Sequence, residues 1–181
     1  TLVLKVLAER PVFAPEFGVY SHRFGDRWLA GGASNSGGKV LLRHFSRAEL
    51  DAMTLKLDPR HSTGLDYYPL TAPGERFPHN DPAWPPRLTP RPADDVAFFQ
   101  GMLEGIARIE ARGYRLLAEL GAPYPTQVLT VGGGARNAAW TRMRQELLGV
   151  PLRAARSEQA CHGAARLARE GFLANRQETI R

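Results

Sequence analysis

The pattern of hydrophobic and polar positions predicts strands at the start of the chain. Residues 1–8 form a short apolar run that ends before turn-forming prolines, which is typical of a strand. In residues 19–30, apolar and aromatic side chains flank Gly25 and Asp26, a pair that favours a tight hairpin turn. The small residues 31–38 then predict a loop, and the apolar positions that follow it have helical spacing.

The middle of the chain alternates between helical and irregular patterns. Residues 47–57 predict a helix with Ser46 as its N-cap, and residues 94–120 predict the longest helix, with Gly121 after its last turn. Residues 58–93 hold most of the prolines and predict extended, looping chain. This loop still has apolar side chains to bury: Leu65, Tyr67, Tyr68, Leu70, Phe77 and Trp84.

Two glycines share one face of the long predicted helix. Gly101 and Gly105 are four residues apart, and each costs about 1 kcal/mol relative to alanine inside a helix. Something is therefore expected to approach the helix backbone closely at this face. Packing of a neighbouring segment is favoured over contact with a ligand, and both interpretations remain open at this point.

The last third of the chain alternates strand and helix. Residues 126–131 predict a strand, 136–148 a helix closed by Gly149, 150–153 a short strand, and the segment after Ser157 a helix of small residues. Together with the hairpin strands, this order predicts an α/β domain with a mixed sheet flanked by helices.

The main candidate for chemistry lies where the buried-looking strand meets a helix. Gly132, Gly133 and Gly134 come between the two, and glycines let backbone N–H groups approach a phosphate. The start of the helix adds free donors and the positive end of the dipole. Asn137 and Trp140, on the first helical turn, would add a hydrogen bond and an aromatic wall for a base. A plain strand-to-helix turn is the alternative, and the loop at residues 31–38 is a second candidate of the same kind.

Composition and motifs exclude several other classes of function. The chain is 43% hydrophobic and 23% charged, which is typical of a globular protein, and no apolar stretch approaches the roughly 18 residues of a membrane span. The single cysteine, Cys161, excludes a disulfide framework and a cysteine-cluster metal site, and it suits a reducing compartment. The sequence contains neither of the two common phosphate-loop motifs. It also lacks the zinc-protease motif and the nucleophile elbow of serine hydrolases.

The net charge of +6 raises the question of nucleic-acid binding. Nearly all the excess lies after residue 135, where the arginines are spread over predicted helix surfaces without a basic run. This distribution favours an ordinary solvated surface over a nucleic-acid site.

Several stretches together resemble one family. The sequence GGGARNAAW at residues 132–140, followed by LGVP at 148–151, is similar to the end of the FGGY carbohydrate kinases. The glycine loop at 31–38 and the stretch LTAPGERFPHNDP at 70–82 resemble stretches that occur in the same order in the C-terminal domain of these kinases. Within the family, the sequence of these stretches is most similar to the D-ribulose kinase and xylulokinase-like branch. One helix motif fits only in its first half, because Tyr114 or Arg115 stands where an acidic or amide residue is expected.

The resemblance implies a fold and a domain organisation. Residues 1–181 would be the C-terminal, ATP-binding domain of such a kinase, with an actin-like, ribonuclease H-like α/β fold. This interpretation takes the domain as truncated at its N-terminal end and expects the sugar-binding N-terminal domain, with the catalytic aspartate, upstream of the sequence. No catalytic residue is therefore assigned in this chain, and the isolated chain is expected to be inactive.

The resemblance also implies a reaction and a binding site. The parent enzyme would transfer the γ-phosphoryl group of ATP to a sugar hydroxyl, with D-ribulose or D-xylulose as the ketopentose, and ATP and Mg²⁺ as cofactors. By motif match, the nucleotide residues are Gly133, Gly134, Asn137 and Trp140, with Gly37 on the facing loop. A cytoplasmic protein is expected, with sugar, ATP and the N-terminal kinase domain as partners, no nucleic acid or membrane, and a homodimer left open. The alternative is a catalytically silent module that responds to nucleotide or binds nucleic acid.

Overall fold

A computed structural model of the chain describes residues 1–178, with side chains described as far as residue 173. Its first part is a three-stranded antiparallel sheet in the order β1-β3-β2. The strands are β1 (Leu2–Ala8), β2 (Tyr20–Phe24) and β3 (Arg27–Ser34). The predicted hairpin is confirmed, and Gly25 in its turn has a φ of 58°. Within the described residues, no helix has the length and apolar character needed to cross a membrane.

The predicted loop at residues 31–38 is wrong in its first half. Strand β3 continues through Ser34, so Gly31 and Gly32 lie in the sheet. A side chain at Gly31 would overlap the Leu4 carbonyl, and one at Gly32 would overlap the ring of Phe77. Gly31 therefore allows close packing between strands, and Gly32 allows close packing of the sheet against Phe77. The helical pattern after the loop yields only a short 3-10 turn, Leu41–Arg43.

Helix α1 (Arg47–Thr54) begins where the sequence predicts it and ends three residues earlier. The Ser46 hydroxyl accepts a hydrogen bond from the Glu49 N–H at 3.3 Å, and the Glu49 carboxylate accepts one from the Ser46 N–H at 2.7 Å. This reciprocal cap satisfies donors that the helix start would otherwise leave free. The irregular segment that follows buries Tyr67, Tyr68, Leu70 and Phe77, as predicted, and partly buries Leu65 and Trp84.

Helix α2 (Asp95–Glu119) is the longest element, and the Asp94 carboxylate caps its first turn. Packing explains the two glycines on one of its faces. A Cβ at Gly101 would lie 2.9 Å from Leu65 Cδ1, and one at Gly105 would lie 2.7 Å from the Tyr67 carbonyl oxygen. The irregular segment thus lies directly on the α2 backbone.

The last elements form a small α/β unit. They are β4 (Val128–Thr130), α3 (Ala138–Leu148), β5 (Leu152–Ala154) and α4 (Ala160–Glu178). Strands β4 and β5 pair in parallel, so the parallel and antiparallel pairings expected of a mixed sheet occur in two separate sheets. The Gly149 backbone, with a φ of 67°, ends α3 as predicted.

The strand before the glycine triplet is less buried than its sequence predicts. Val128 is 6% exposed, whereas Leu129 is 63% and Val131 is 60% exposed. Among the described strands, β4 pairs only with β5, and Leu129 in the middle of β4 is largely exposed. The observed strand is shorter than the predicted 126–131, and the prediction that it is buried is wrong at Leu129 and Val131.

Two apolar clusters make up most of the core, and α2 belongs to both. The sheet cluster packs the inner face of β1 and β3 against the C-terminal half of α2, and it includes Val128 of β4. The helix cluster packs the N-terminal half of α2 against α1, the irregular segment and Met143 of α3. The glycine triplet connects β4 to α3 and therefore connects the two clusters.

Candidate functional site

The glycine triplet forms a tight turn between β4 and α3. Gly132 has a φ of 92°, a left-handed conformation that side chains rarely adopt. A 3-10 turn, Gly133–Arg136, follows it, and Asn137 then begins α3. The sequence predicts this arrangement, although it places the start of the helix at Arg136.

Each glycine in the turn has a different relation to its surroundings. The backbone conformation requires glycine at position 132, and a side chain at Gly134 would overlap the ring of Trp140. Gly133 has neither constraint: its φ is ordinary, and a Cβ there would have nothing within 4 Å. A side chain at Gly133 would instead occupy the open space in front of the turn.

Asn137 holds the turn on two sides. Its Oδ1 accepts the backbone N–H of Trp140 at 2.9 Å, which caps α3. Its Nδ2 donates to the hydroxyl of Thr54 at 3.4 Å, at the last residue of α1. The side chain is half-buried, so the amide fixes the start of α3 relative to α1.

Trp140 is half-buried and is bound to α2. Its indole Nε1 donates to the Leu103 carbonyl oxygen at 2.9 Å, and its ring packs against the helix cluster. The guanidinium carbon of Arg144 lies 5.0 Å from the ring centroid. The indole therefore supports the turn, through its contact with Gly134, while part of its surface remains accessible.

A buried ion pair that the sequence reasoning missed lies beside this turn. Arg144 donates from Nε and Nη2 to the two carboxylate oxygens of Glu110, at 2.6 and 2.7 Å, and both side chains are at most 5% exposed. Burial, followed by the negative charge of Glu110, raises the pKa of Tyr114 above its usual value. A signal was present in the sequence, because both charged residues lie at helical spacing from apolar neighbours, as Arg144 does from Trp140.

The second glycine loop is held by a buried carboxylate. Glu75 is 2% exposed and accepts hydrogen bonds from the Ser34 hydroxyl and the Asn35 N–H, both at 2.6 Å. Gly37, with a φ of 132°, follows, and a Cβ there would lie 3.0 Å from the Thr1 carbonyl carbon. Gly38 resembles Gly133, because a Cβ would have nothing within 4 Å.

The structure brings together four of the five predicted site residues. Gly133, Gly134, Asn137 and Trp140 share the turn and the first turn of α3. Gly37 lies on the other loop, beside Thr1. That loop leads to Val40, which packs in the same helix cluster as Trp140. In the part of the chain that the structure describes, no three His, Cys, Asp or Glu side chains are grouped to hold a metal ion.

Comparison with protein families gives one match over most of the chain. Residues 3–169 match the model of the FGGY family of carbohydrate kinases, C-terminal domain. L-fuculokinases of Salmonella typhi and Escherichia coli O157:H7 are 36% and 32% identical to it over 56 residues. That alignment covers 31% of this chain and only 12% of each of those curated relatives.

Two solved kinases have a similar structure. A xyloylose kinase from Brucella ovis matches with a TM-score of 0.77 and 26% identity, over 91% of this chain and 36% of that one. A xylulose kinase from Lactobacillus acidophilus matches with a TM-score of 0.70 and 16% identity, over 87% of this chain and 34% of that one, and shows the fold alone. The actin-like α/β fold expected from the sequence is confirmed, and the chain spans about a third of these solved kinases.

Proposed function

Because this chain belongs to the FGGY family of carbohydrate kinases, as a C-terminal domain, we propose that it is the ATP-binding part of a sugar kinase. The whole enzyme would transfer the γ-phosphoryl group of ATP to a sugar hydroxyl. We propose a ketopentose, D-ribulose or D-xylulose, as the acceptor. The name of the structural relative from Brucella ovis, a xyloylose kinase, supports that class.

The observation that carries the proposal is the position of Gly133. Neither its backbone conformation nor its neighbours require a glycine, in contrast to Gly132 and Gly134. A site that brings phosphate oxygens to backbone N–H groups does require one, because a Cβ would occupy the approach. The open space in front of Gly133 fits that requirement.

Each proposed site residue has a separate role. The backbone N–H groups at Gly133 and Gly134 would face the phosphates. Asn137 would hold these groups in place, since its amide is bound to α3 and α1. The accessible part of Trp140 would lie against the base, and Gly37 would line the facing loop.

The nucleotide would supply the phosphoryl group, with Mg²⁺ carried on its phosphate oxygens. In phosphoryl transfer, the protein acts mainly by positioning and by neutralising charge. We assign no metal ligand and no general base in this chain. The base and most sugar contacts would come from an N-terminal kinase domain, so this chain alone would be inactive toward sugar. Self-association into a homodimer stays a prediction.

Titration of the isotope-labelled chain with MgATP, followed by NMR, tests this site. We expect amide signals of residues 132–140 to shift in the unsubstituted chain, and Gly133→Val to abolish the shifts because its side chain blocks the approach. Gly163→Val is the matched control, since Gly163 of α4 also has open space around a Cβ. Equal binding by the Gly133→Val variant would contradict the proposal. Salt-sensitive binding of RNA or DNA without any response to MgATP would instead favour a nucleic-acid-binding module.

A further inference from the structure

The buried pair of Arg144 and Glu110 has a geometry that bears on the nucleotide turn. Arg144 lies on α3 and Glu110 on α2, and two short hydrogen bonds join them. The same Arg144 Nη2 also donates to the Thr130 hydroxyl at 3.1 Å. Thr130 ends β4, two residues before Gly132. One buried guanidinium thus ties α2 and α3 to the strand that enters the turn.

The guanidinium also contacts the exit of the turn. Its central carbon lies 5.0 Å from the centroid of the Trp140 ring, which itself lies against Gly134. The indole is bound to α2 through the Leu103 carbonyl. Arg144 therefore contacts the residues on both sides of the glycine turn, Thr130 before it and Trp140 after it. Its ion pair with Glu110 connects these contacts to α2.

Stability alone does not account for this pair. Removing two charges from water costs several kcal/mol per ion, and well-packed apolar residues often stabilise a protein as well or better. In addition, Arg144 Nη1 is buried and has no hydrogen-bond acceptor among the described residues. An unpaired buried donor is a further cost. An apolar replacement would lack the planar guanidinium, whose N–H groups point in fixed directions. This group holds Glu110, Thr130 and Trp140 in fixed positions relative to one another.

We propose that Arg144, oriented by Glu110, is a positioning residue that sets the glycine turn for nucleotide binding. The inference rests on the proposed function, because it assumes that MgATP binds at this turn. Arg144 would not touch the nucleotide, since its side chain is buried. It would act by holding the backbone N–H groups of the turn where the phosphate oxygens can accept their hydrogen bonds, which weaken steeply when distance and angle depart from the optimum.

The test is a double substitution that keeps the core apolar and filled. Arg144→Met with Glu110→Leu removes both charges together, so we expect the variant to fold with a thermal midpoint close to that of the unsubstituted chain. We expect MgATP binding, measured by NMR titration, to weaken roughly tenfold or more, as expected when one hydrogen bond to a charged phosphate is lost. The Trp140 indole N–H signal should also move in the absence of nucleotide, as its neighbour changes.

The matched control is an exposed Arg–Glu pair that lies entirely on α3. Arg142 and Glu146 form an exposed pair at 3.3 Å, and Arg142→Met with Glu146→Leu should leave MgATP binding unchanged. If the core double variant folds and binds MgATP like the unsubstituted chain, the positioning role is overturned while the nucleotide site stands. If the unsubstituted chain shows no MgATP binding at all, both proposals fail. If the single Arg144→Met variant unfolds, the double variant still decides the question.

Discussion

The phenol of Tyr68 donates a 2.9 Å hydrogen bond to the carboxylate of Glu75, and both side chains are buried. The Ser34 hydroxyl and the backbone N–H groups of Asn35 and Arg76 donate to the same carboxylate. Burial, followed by the charge of Glu75, raises the pKa of Tyr68. The carboxylate of Glu75 therefore connects the irregular segment to the loop that leads to Gly37.

Glu75→Gln should destabilise the chain. The amide keeps one acceptor oxygen but places an NH₂ group against donors, which leaves at least one buried donor unpaired. We expect the free energy of unfolding to fall by about 1–3 kcal/mol, measured by urea denaturation. Tyr68→Phe, which removes one donor and leaves the others in place, should cost about 1 kcal/mol. An unchanged unfolding midpoint in Glu75→Gln would show that the network does not hold the loop.

Two alanine substitutions should separate a packing glycine from the glycine of the proposed nucleotide site. Gly105→Ala places a methyl group 2.7 Å from the Tyr67 carbonyl oxygen and should cost roughly 1–3 kcal/mol of unfolding free energy. Gly133→Ala meets nothing within 4 Å and should change stability by less than about 0.5 kcal/mol. Thermal or urea unfolding of the two variants checks this, and similar losses in both would contradict the packing geometry.

Substitutions of Trp140 should affect the fold as well as the proposed site. Trp140→Phe keeps an aromatic ring but loses the bond to the Leu103 carbonyl, which should cost about 1 kcal/mol of unfolding free energy. Trp140→Ala also removes buried ring surface and should cost about 3 kcal/mol. Denaturation of both variants provides the measurement. Equal midpoints for Trp140→Ala and the unsubstituted chain would mean that the ring does not support the turn.

Stability should fall as the pH drops below neutrality. Burial, and then the positive charge of Arg112, lowers the pKa of His79 below its usual 6.5. The unfolded chain therefore takes up this proton at a higher pH than the folded chain does. The contribution of His79 to stability is fully present above about pH 6.5, and it is lost as the pH falls from there through the lower pKa of the folded state. His79→Phe keeps an aromatic ring against Trp84 and should flatten the decrease between about pH 7 and pH 5.

The exposed His162 of α4 offers a control for the loss of one histidine. The pH dependence of unfolding in His162→Gln is the reference against which that of His79→Phe is compared. A residual decrease is expected in His79→Phe, because burial and the charges of Arg91 and Arg43 also lower the pKa of His44. If the free energy of unfolding of His79→Phe decreased with falling pH as steeply as that of the unsubstituted chain, His79 would not be a source of this pH dependence.

The parts of the fold that the sequence predicted are those with local signals. Ser46, Asp94 and Gly149 mark helix ends through hydrogen bonds or backbone angles that involve only nearby residues. The hairpin around Gly25 is equally local. For these elements, spacing and capping residues were sufficient, and the observed bounds differ from the predicted ones by a few residues.

The remaining features depend on partners distant in sequence. Gly32 packs against Phe77, so the same residue type that predicts a loop lies here in a strand. Gly133 and Gly134 are indistinguishable in the sequence, and only the position of Trp140 separates a packing glycine from an open one. The ion pair of Arg144 and Glu110 forms between two helices, so it could not be predicted without knowing that α2 and α3 pack side by side.

Helix α2 gives the chain a single cooperative unit instead of two independent ones. Its first half, with Met102 and Leu103, completes the helix cluster, while its second half, with Leu116 and Leu117, completes the sheet cluster. Opening either cluster would leave half of a continuous helix without its packing partners, and helix formation is itself cooperative. The backbone amides around Ile106, between the two clusters, should therefore exchange with solvent deuterium only through global unfolding.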